Sequence, residues 1–246
     1  MLLNRATEWF AANKLKLNAE KTQSILCTLN PGESEGDFVK LLGFWIDARL
    51  NWNYHIAQVC TKLSRVCYLL RELKQTIDGQ SLINIYHSLF HSHVLYGIVV
   101  WGHSASTYDI LCLQKRAVRL IKGSGCREHC RPIFRELKIM TVVSQYVYSV
   151  LCMLKENEGH FDRRGDLHSH ATRHAKDLNL PRCRLALTQK SYPYSAVNIF
   201  NKLPENVRDM DRDSFKSLLK ECLINRPLYS LDELTQMPLI CPATAT

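Results

Sequence analysis

The apolar residues of this chain change their spacing at Asn53, and that change restricts the fold more than any other feature. Downstream of it, Ile56, Val59, Cys60, Leu63, Val66, Cys67 and Leu70 follow the i, i+3, i+4, i+7 pattern for about four turns. A helix puts such residues on one face, whereas a strand scatters them over two. Asp78-Gly79 stops this helix. A second, with Leu82, Ile85, Tyr86, Leu89 and Phe90 inward, runs toward Tyr96-Gly97. Ser106 or Thr107 caps a third, which passes through Ile121 and ends at Gly123-Ser124-Gly125. Pro132–Leu137 starts a short helix. Thr141 caps another, with Val143, Tyr146, Val147, Val150, Leu151 and Leu154 on one stripe. Residues 53–157 are therefore predicted to form a helical bundle.

The flanking segments read differently. Residues 2–12 carry Leu2, Leu3, Ala6, Trp9 and Phe10 at helical spacing. Lys16–Asn18 and Gln23–Leu29 are predicted as short strands, Pro31–Asp37 as a turn and Val39–Ile46 as a third strand. Residues 158–190 are rich in His, Arg and Asp and read as a polar linker. Order returns at Tyr194–Phe200. Asp213 or Ser214 caps a last helix through Leu223, and residues 237–246 read as a frayed tail. The expected class is α+β, mostly α. A small antiparallel sheet within residues 1–52 precedes the bundle, and a helical C-terminal extension spans 191–236. With 246 residues, 46% hydrophobic and 22% charged, the chain has ordinary globular composition.

A net charge of +9 suits a nucleic acid or an anionic surface as partner. Arg5 and Glu8 interrupt any apolar run after Met1, so no secretory signal is expected. Apolar runs such as Ile98–Trp101 are far too short to span a bilayer, and no membrane partner is expected. Ten scattered cysteines fit free thiols in an intracellular compartment, nucleus or cytoplasm.

Several phrases resemble a known family in their order. Trp9-Phe-Ala-Ala-Asn-Lys-Leu-Lys-Leu-Asn-Ala-Glu-Lys-Thr22 is followed by Lys40-Leu-Leu-Gly-Phe-Trp-Ile-Asp47, then by Leu50-Asn-Trp52 and His55-Ile56. Further on come Ile85-Tyr86, Ser88-Leu89, Ser92, Tyr96-Gly97, Trp101-Gly102 and Leu113–Ile121. Arg127–Phe134, Phe200–Pro204, Phe215-Lys216 and Tyr229-Ser230-Leu231 with Glu233 complete the set. This succession resembles the palm end, thumb and C-terminal extension of reverse transcriptases of non-LTR, jockey-like retrotransposons. The resemblance makes residues 1–52 the palm end and 53–157 the thumb and connection. It implies that Lys21 lies near an incoming triphosphate, where an ammonium can neutralise a leaving pyrophosphate. It makes Leu42, Gly43, Phe44 and Trp45 the primer grip. Glycine suits a strand that a nucleic-acid backbone approaches closely.

The family's polymerase chemistry uses Mg²⁺ held by carboxylates, among them an adjacent Asp pair. The family carries that pair just upstream of the first phrase, near where Met1 stands. No adjacent Asp pair occurs in this sequence, and Asp37 and Asp47 fall in other phrases. The expectation is therefore a truncated polymerase with no catalytic residue and no resident cofactor. It would keep binding to the backbone of an RNA–DNA or DNA duplex, with an upstream polymerase fragment as a further partner. The alternative is a co-opted or degenerate remnant that acts as a protein-interaction module.

Lys115, Arg116, Arg119 and Lys122 fall within about 120° of one another at 100° per residue, with Ile110, Leu113, Ala117 and Ile121 opposite. That is either a phosphate-tracking stripe or the solvated face of an amphipathic helix. Four neutralised phosphates would give a log–log salt slope of about −3.6. Lys62 and Arg65 form a second patch. Cys126, His129 and Cys130, and His168, His170 and His174, offer zinc-type donors, but neither cluster has four ligands and no metal site is expected. His91, His93, Trp45, Trp52 and Trp101 read as packing residues.

Overall fold

A two-residue turn shapes the sheet. In the computed structural model, which describes residues 2–28, 38–167 and 174–236, Leu42 and Gly43 both have positive φ, 49° and 90°. Two positive φ values in a two-residue loop match the right-handed twist of paired strands. The strands are β1 (Phe38–Leu41) and β2 (Phe44–Asp47), antiparallel, with Leu41 opposite Phe44 and Phe38 opposite Asp47. The single strand expected over Val39–Ile46 is thus a hairpin folded at its middle.

The other two expected strands do not form within the described residues. Asn18 Oδ1 accepts from the Glu20 and Lys21 amides, at 3.0 and 3.2 Å, and draws Ala19–Lys21 into a 3₁₀ turn. This is the local competition by which Asn side chains displace ladders. Residues 22–28 are irregular, with a long-range backbone bond from the Thr28 amide to the Ala48 carbonyl. Leu29 and the expected turn at Pro31–Asp37 lie outside the described residues.

Residues 1–55 form one compact unit and 56–246 a second. The first holds helix α1 (Leu2–Ala12) and the hairpin. Its organising residue is Asp47. The buried carboxylate accepts from the amides of Arg49, Asn51 and Trp52 at 2.9–3.2 Å. Those bonds hold a loop in which Leu50 and Trp52 both take positive φ. The aspartate that the sequence sets apart from any catalytic pair is here a loop cap.

Helix α2 (Asn53–Leu73) opens the helical part. Ile56, Val59, Leu63, Val66, Cys67 and Leu70 are buried as the spacing predicts, while Cys60 is half-buried. Asp78 caps α3 (Gly79–Ile85), accepting from the Gln80 and Ser81 amides. That helix continues through a π turn at Tyr86–His91 into α4 (Ser92–Leu95). The wider turn shifts the helical phase. Tyr86, Phe90 and Val94 are buried, and Leu89, expected inward, is exposed. Gly97, at φ 63°, turns the chain into α5 (Ile98–Trp101), and Trp101 Nε1 donates to the Tyr96 carbonyl at 3.0 Å.

Next come α6 (Thr107–Lys122), α7 (Cys130–Glu136) and α8 (Val142–Glu156). Ser106 stands at the N-cap of α6 without a side-chain cap bond. The other end closes as predicted. Gly123, at φ 78°, donates to the Leu120 carbonyl, and Ser124 donates to that of Arg119. Thr141 caps α8 by accepting from the Ser144 amide. All six stripe residues of α8 are buried, and so are Val142, Ser144, Gln145 and Cys152. A helix buried nearly all round is the centre of a core. Around it pack α5, α6, α11 (Tyr192–Phe200) and α13 (Arg212–Asn225).

The segment read as a linker is partly built into this unit. It carries short helices α9 (Arg164–Leu167) and α10 (Ala186–Lys190), and Asp177 and Leu178 are buried. Asn201 pairs with both backbone groups of Leu178, and Arg208, which ends the short helix α12 (Glu205–Arg208), meets the Asp177 carboxylate at 2.8 Å. Asp211 caps α13, accepting from the Asp213 and Ser214 amides, so the two expected caps are its donors. A final helix, α14, spans Glu233–Gln236. The expected frayed tail at 237–246 lies outside the described residues.

Candidate nucleic-acid interface

The resemblance assigned two groups of residues in the first unit. Leu42 and Gly43 form the hairpin tip, while Phe44 and Trp45 start β2. Leu42 is 79% exposed. Trp45 is half-buried, edge-on to Tyr54, with Lys40 Nζ 5.4 Å from its ring centre. The Trp45 amide donates to His55 Nδ1 at 3.4 Å. Lys21 ends the 3₁₀ turn and is exposed.

In the second unit, the basic residues of α6 share a face but not a state. Ile110, Leu111, Gln114, Ala117, Val118 and Ile121 form the buried side, whereas Leu113, expected inward, is half-buried. Lys115 Nζ sits 4.0 Å from the centre of the Tyr229 ring, which Arg131 also covers at 4.5 Å. Burial pushes the Tyr229 phenol up to about 12, so the ring is neutral at pH 7. Arg119 donates twice to the Glu128 carbonyl, at 2.9 and 2.7 Å, and braces the loop after α6. Lys122 pairs with Glu136 of α7. Arg116 is exposed and makes no ion pair with a described residue.

Sequence spacing missed the partner of Arg116. Arg71, in the last turn of α2, lines with Arg116 and Arg119 a cleft of about 480 Å³, completed by Leu120, Ser124 and Cys126. None of these lining residues is acidic. Lys74 stands beside it, with its ammonium 3.8 Å from where a Cβ on Gly123 would lie. Three guanidiniums from two helices, unopposed by carboxylate, are suited to phosphate oxygens. The available signal was the placement of basic residues at both helix C-termini, where they complement the dipole. That signal does not reveal that the two ends meet. Lys62 and Arg65 are exposed on α2.

The remaining candidates have structural partners. Cys130 is buried, with its thiol directed at the Lys115 and Glu128 carbonyls. His174 bonds Asp177, while His168 and His170 lie outside the described residues. Among the described residues, no group of three or more His, Cys, Asp or Glu side chains converges on a metal-sized site. Trp52 and Trp101 are buried. Burial holds His91 down at about 4, with repulsion from His87 adding to it. Eight of the described cysteines are free thiols. No described helix is long and apolar enough to cross a membrane.

Known proteins give this geometry a context. The chain is 26% identical over 154 residues to the RNA-directed DNA polymerase from mobile element jockey of Drosophila melanogaster, which covers 56% of this chain and 17% of that protein. It is 24% identical over 194 residues to the probable RNA-directed DNA polymerase from transposon X-element of the same organism, covering 72% and 20%. The chain resembles a fragment of a jockey-like, non-LTR reverse transcriptase. The matched regions make up about a fifth of the length of these polymerases. No protein-family model matches the chain, and no solved structure matches it. Among the described residues the fold is mostly helical with one two-stranded antiparallel sheet, which agrees with the expected α+β, mostly α class.

Proposed function

We propose that this chain is the duplex-holding part of a jockey-like reverse transcriptase. In this reading the hairpin at Leu42–Trp45 is the primer grip of a palm end, Lys21 faces the triphosphate side, the helices within 53–157 are the thumb and connection, and those within 191–236 are the C-terminal extension. The observation that carries it is the acid-free arginine cleft of Arg71, Arg116 and Arg119, in a chain whose relatives are RNA-directed DNA polymerases. Guanidiniums bind the phosphate backbone and release its counterions. Three contacts correspond to a log–log salt slope of about −2.7. The chain alone performs no polymerisation, because no adjacent Asp pair is present to hold the two metal ions. Residues 1–55 expose Trp9 (59%), Leu26 (65%) and Leu42 (79%), and both outer edges of the hairpin lack a strand neighbour among the described residues. An upstream polymerase fragment is the partner that fits this surface.

A second reading, a protein-interaction module, draws on one observation. Lys115, Arg119 and Lys122 are engaged with Tyr229, Glu128 and Glu136, which leaves less charge for phosphate than the stripe promised. Binding of the purified chain to a labelled RNA–DNA template–primer over a salt series separates the two. Steep salt dependence that weakens in Arg71→Glu and Arg116→Glu supports duplex holding. Indifference to both substitutions supports the interaction module. Nucleotide incorporation by the pure chain would sink the non-catalytic reading.

A further inference from the structure

Lys115 and Arg116 are neighbours in sequence, yet only Arg116 is fully exposed. Lys115 is covered by the segment Leu228–Leu234, whose two ends are set in the core. Leu228 is 1% exposed, and its carbonyl and amide bond Thr141 and Ser144 at the start of α8. Leu234, in α14, is buried as well. Between these anchors the segment holds on by charge. Its Tyr229 ring centre lies 4.0 Å from Lys115 Nζ and 4.5 Å from the Arg131 guanidinium, and Glu233 Oε1 meets Arg131 Nη2 at 2.7 Å.

The middle of the segment is seated less well than its ends. The Tyr229 hydroxyl and Arg131 Nε are buried, and neither has a hydrogen-bond partner among the described residues. A buried polar atom left unpaired costs free energy that a suitable oxygen would recover. The Arg131–Glu233 pair is partly exposed, and ion pairs of that kind contribute little. Phosphate oxygens make stronger, charge-assisted bonds to both a guanidinium and an ammonium. A polyanion therefore competes well for the two cations while the leucine anchors stay in place. The covered cations also continue the open ones. Lys115 lies one turn from Arg119 on the same face of α6, and Arg119 lines the arginine cleft. We propose that Leu228–Leu234 is an autoinhibitory strap: Tyr229 and Glu233 occupy Lys115 and Arg131 in place of phosphates, and a bound duplex reaches past the cleft only when the middle of the strap lifts. The proposal rests on the duplex-holding reading and adds its regulation.

The test compares the full chain with a Tyr229→Ala/Glu233→Gln variant, each with and without Lys115→Ala, on a labelled RNA–DNA template–primer over a salt series. Lifting the strap should tighten binding about tenfold at low salt and steepen the log–log slope by up to about 1.8, for two freed cations. Lys115→Ala should change the parent little but take about 0.9 off the variant's slope. A general effect of removing one negative charge would instead leave the cost of Lys115→Ala equal in both backgrounds, which overturns the proposal. So does a variant that binds no more tightly than its parent. Both leucine anchors are kept, so circular dichroism and Tm should stay near those of the parent. If the double variant does not fold, Glu233→Gln alone, with and without Arg131→Ala, carries the same comparison. A parent that ignores the template–primer ends the duplex-holding reading, and the salt needed to elute each chain from heparin then decides the strap separately. Later elution of the variant that depends on Lys115 supports masking of a polyanion surface, and equal elution overturns it.

Discussion

Gln114 shows how much one side chain can settle. It lies on the buried side of α6, where the helical spacing alone would place an apolar residue. Its Nε2 donates to the Tyr86 hydroxyl at 2.8 Å and to the Met140 carbonyl at 2.9 Å, and its Oε1 accepts from the Val142 amide at 2.8 Å. A buried amide with its donors and acceptor used ties three helices together and allows no sliding between them. Gln114→Leu should keep the volume but leave the Val142 amide and Met140 carbonyl unpaired, at a cost of about 2–4 kcal/mol. Urea unfolding, read as a fall in midpoint at constant slope, checks this. Gly102 is a second such residue. A Cβ there would lie 2.4 Å from Tyr146 Cδ2 and 2.6 Å from the Ile98 carbonyl oxygen. Because one neighbour is backbone, relaxation is limited. Gly102→Ala should destabilise by about 1–3 kcal/mol, seen as a lower Tm. The Trp101-Gly102 phrase was visible in the sequence, but the ring that forbids a side chain comes from 44 positions downstream.

At the scale of elements, the π turn at Tyr86–His91 is the clearest departure from periodicity. Spacing that placed Leu89 inward assumed 100° per residue, and the wider turn breaks that assumption. The same turn carries His91, whose ring burial lowers to about 4 from an ordinary 6.5. Between those values the unfolded chain binds the proton and the folded chain does not. Stability is therefore full above about pH 6.5 and declines as pH falls toward 4. The contribution reaches about 3 kcal/mol when the whole interval is crossed. Denaturation at pH 7 and pH 4.5 should show a smaller acid loss in His91→Gln than in the parent. Local rules worked better at helix ends. Thr141 and Gly123 act where their residue types predict, because capping needs only neighbours in sequence, and Asp78, read only as a stop for the helix before it, caps the helix after it. Asp213 and Ser214 failed as caps for an equally local reason. Asp211, two residues before, already binds their amides.

For the whole molecule, the question is whether the basic face is available. The C-terminal segment lies across part of it. Thr141 Oγ1 donates to the Leu228 carbonyl, the Leu228 amide donates to Ser144 Oγ, and this seats Tyr229 under Lys115 and Arg131. Arg131 in turn meets Glu233 at 2.7 Å. Arg71 and Arg116 remain open, so they should dominate binding. Arg116→Glu should weaken template–primer binding and reduce the salt slope by about 0.9 or more, while Lys115→Ala should change affinity little. Arg119→Glu is a poorer probe, since it also removes the brace on the Glu128 carbonyl. A fluorescence-anisotropy series from low to moderate salt measures all three.

By itself the sequence determined the mostly helical course of residues 53–157, the buried stripes of α2 and α8, several helix ends and the likeness to jockey-like polymerases. These are properties of spacing and short neighbourhoods, which the linear order contains. It did not determine that Val39–Ile46 folds back on itself. An alternating strand and a tight hairpin share most of their pattern until two positive φ values separate them. Nor did it determine which cations are spent internally, that Arg71 joins Arg116, or that Leu228 is stitched to the start of α8. Those contacts join positions that packing alone brings together, and only the tertiary structure decides which charged groups find partners and which face solvent.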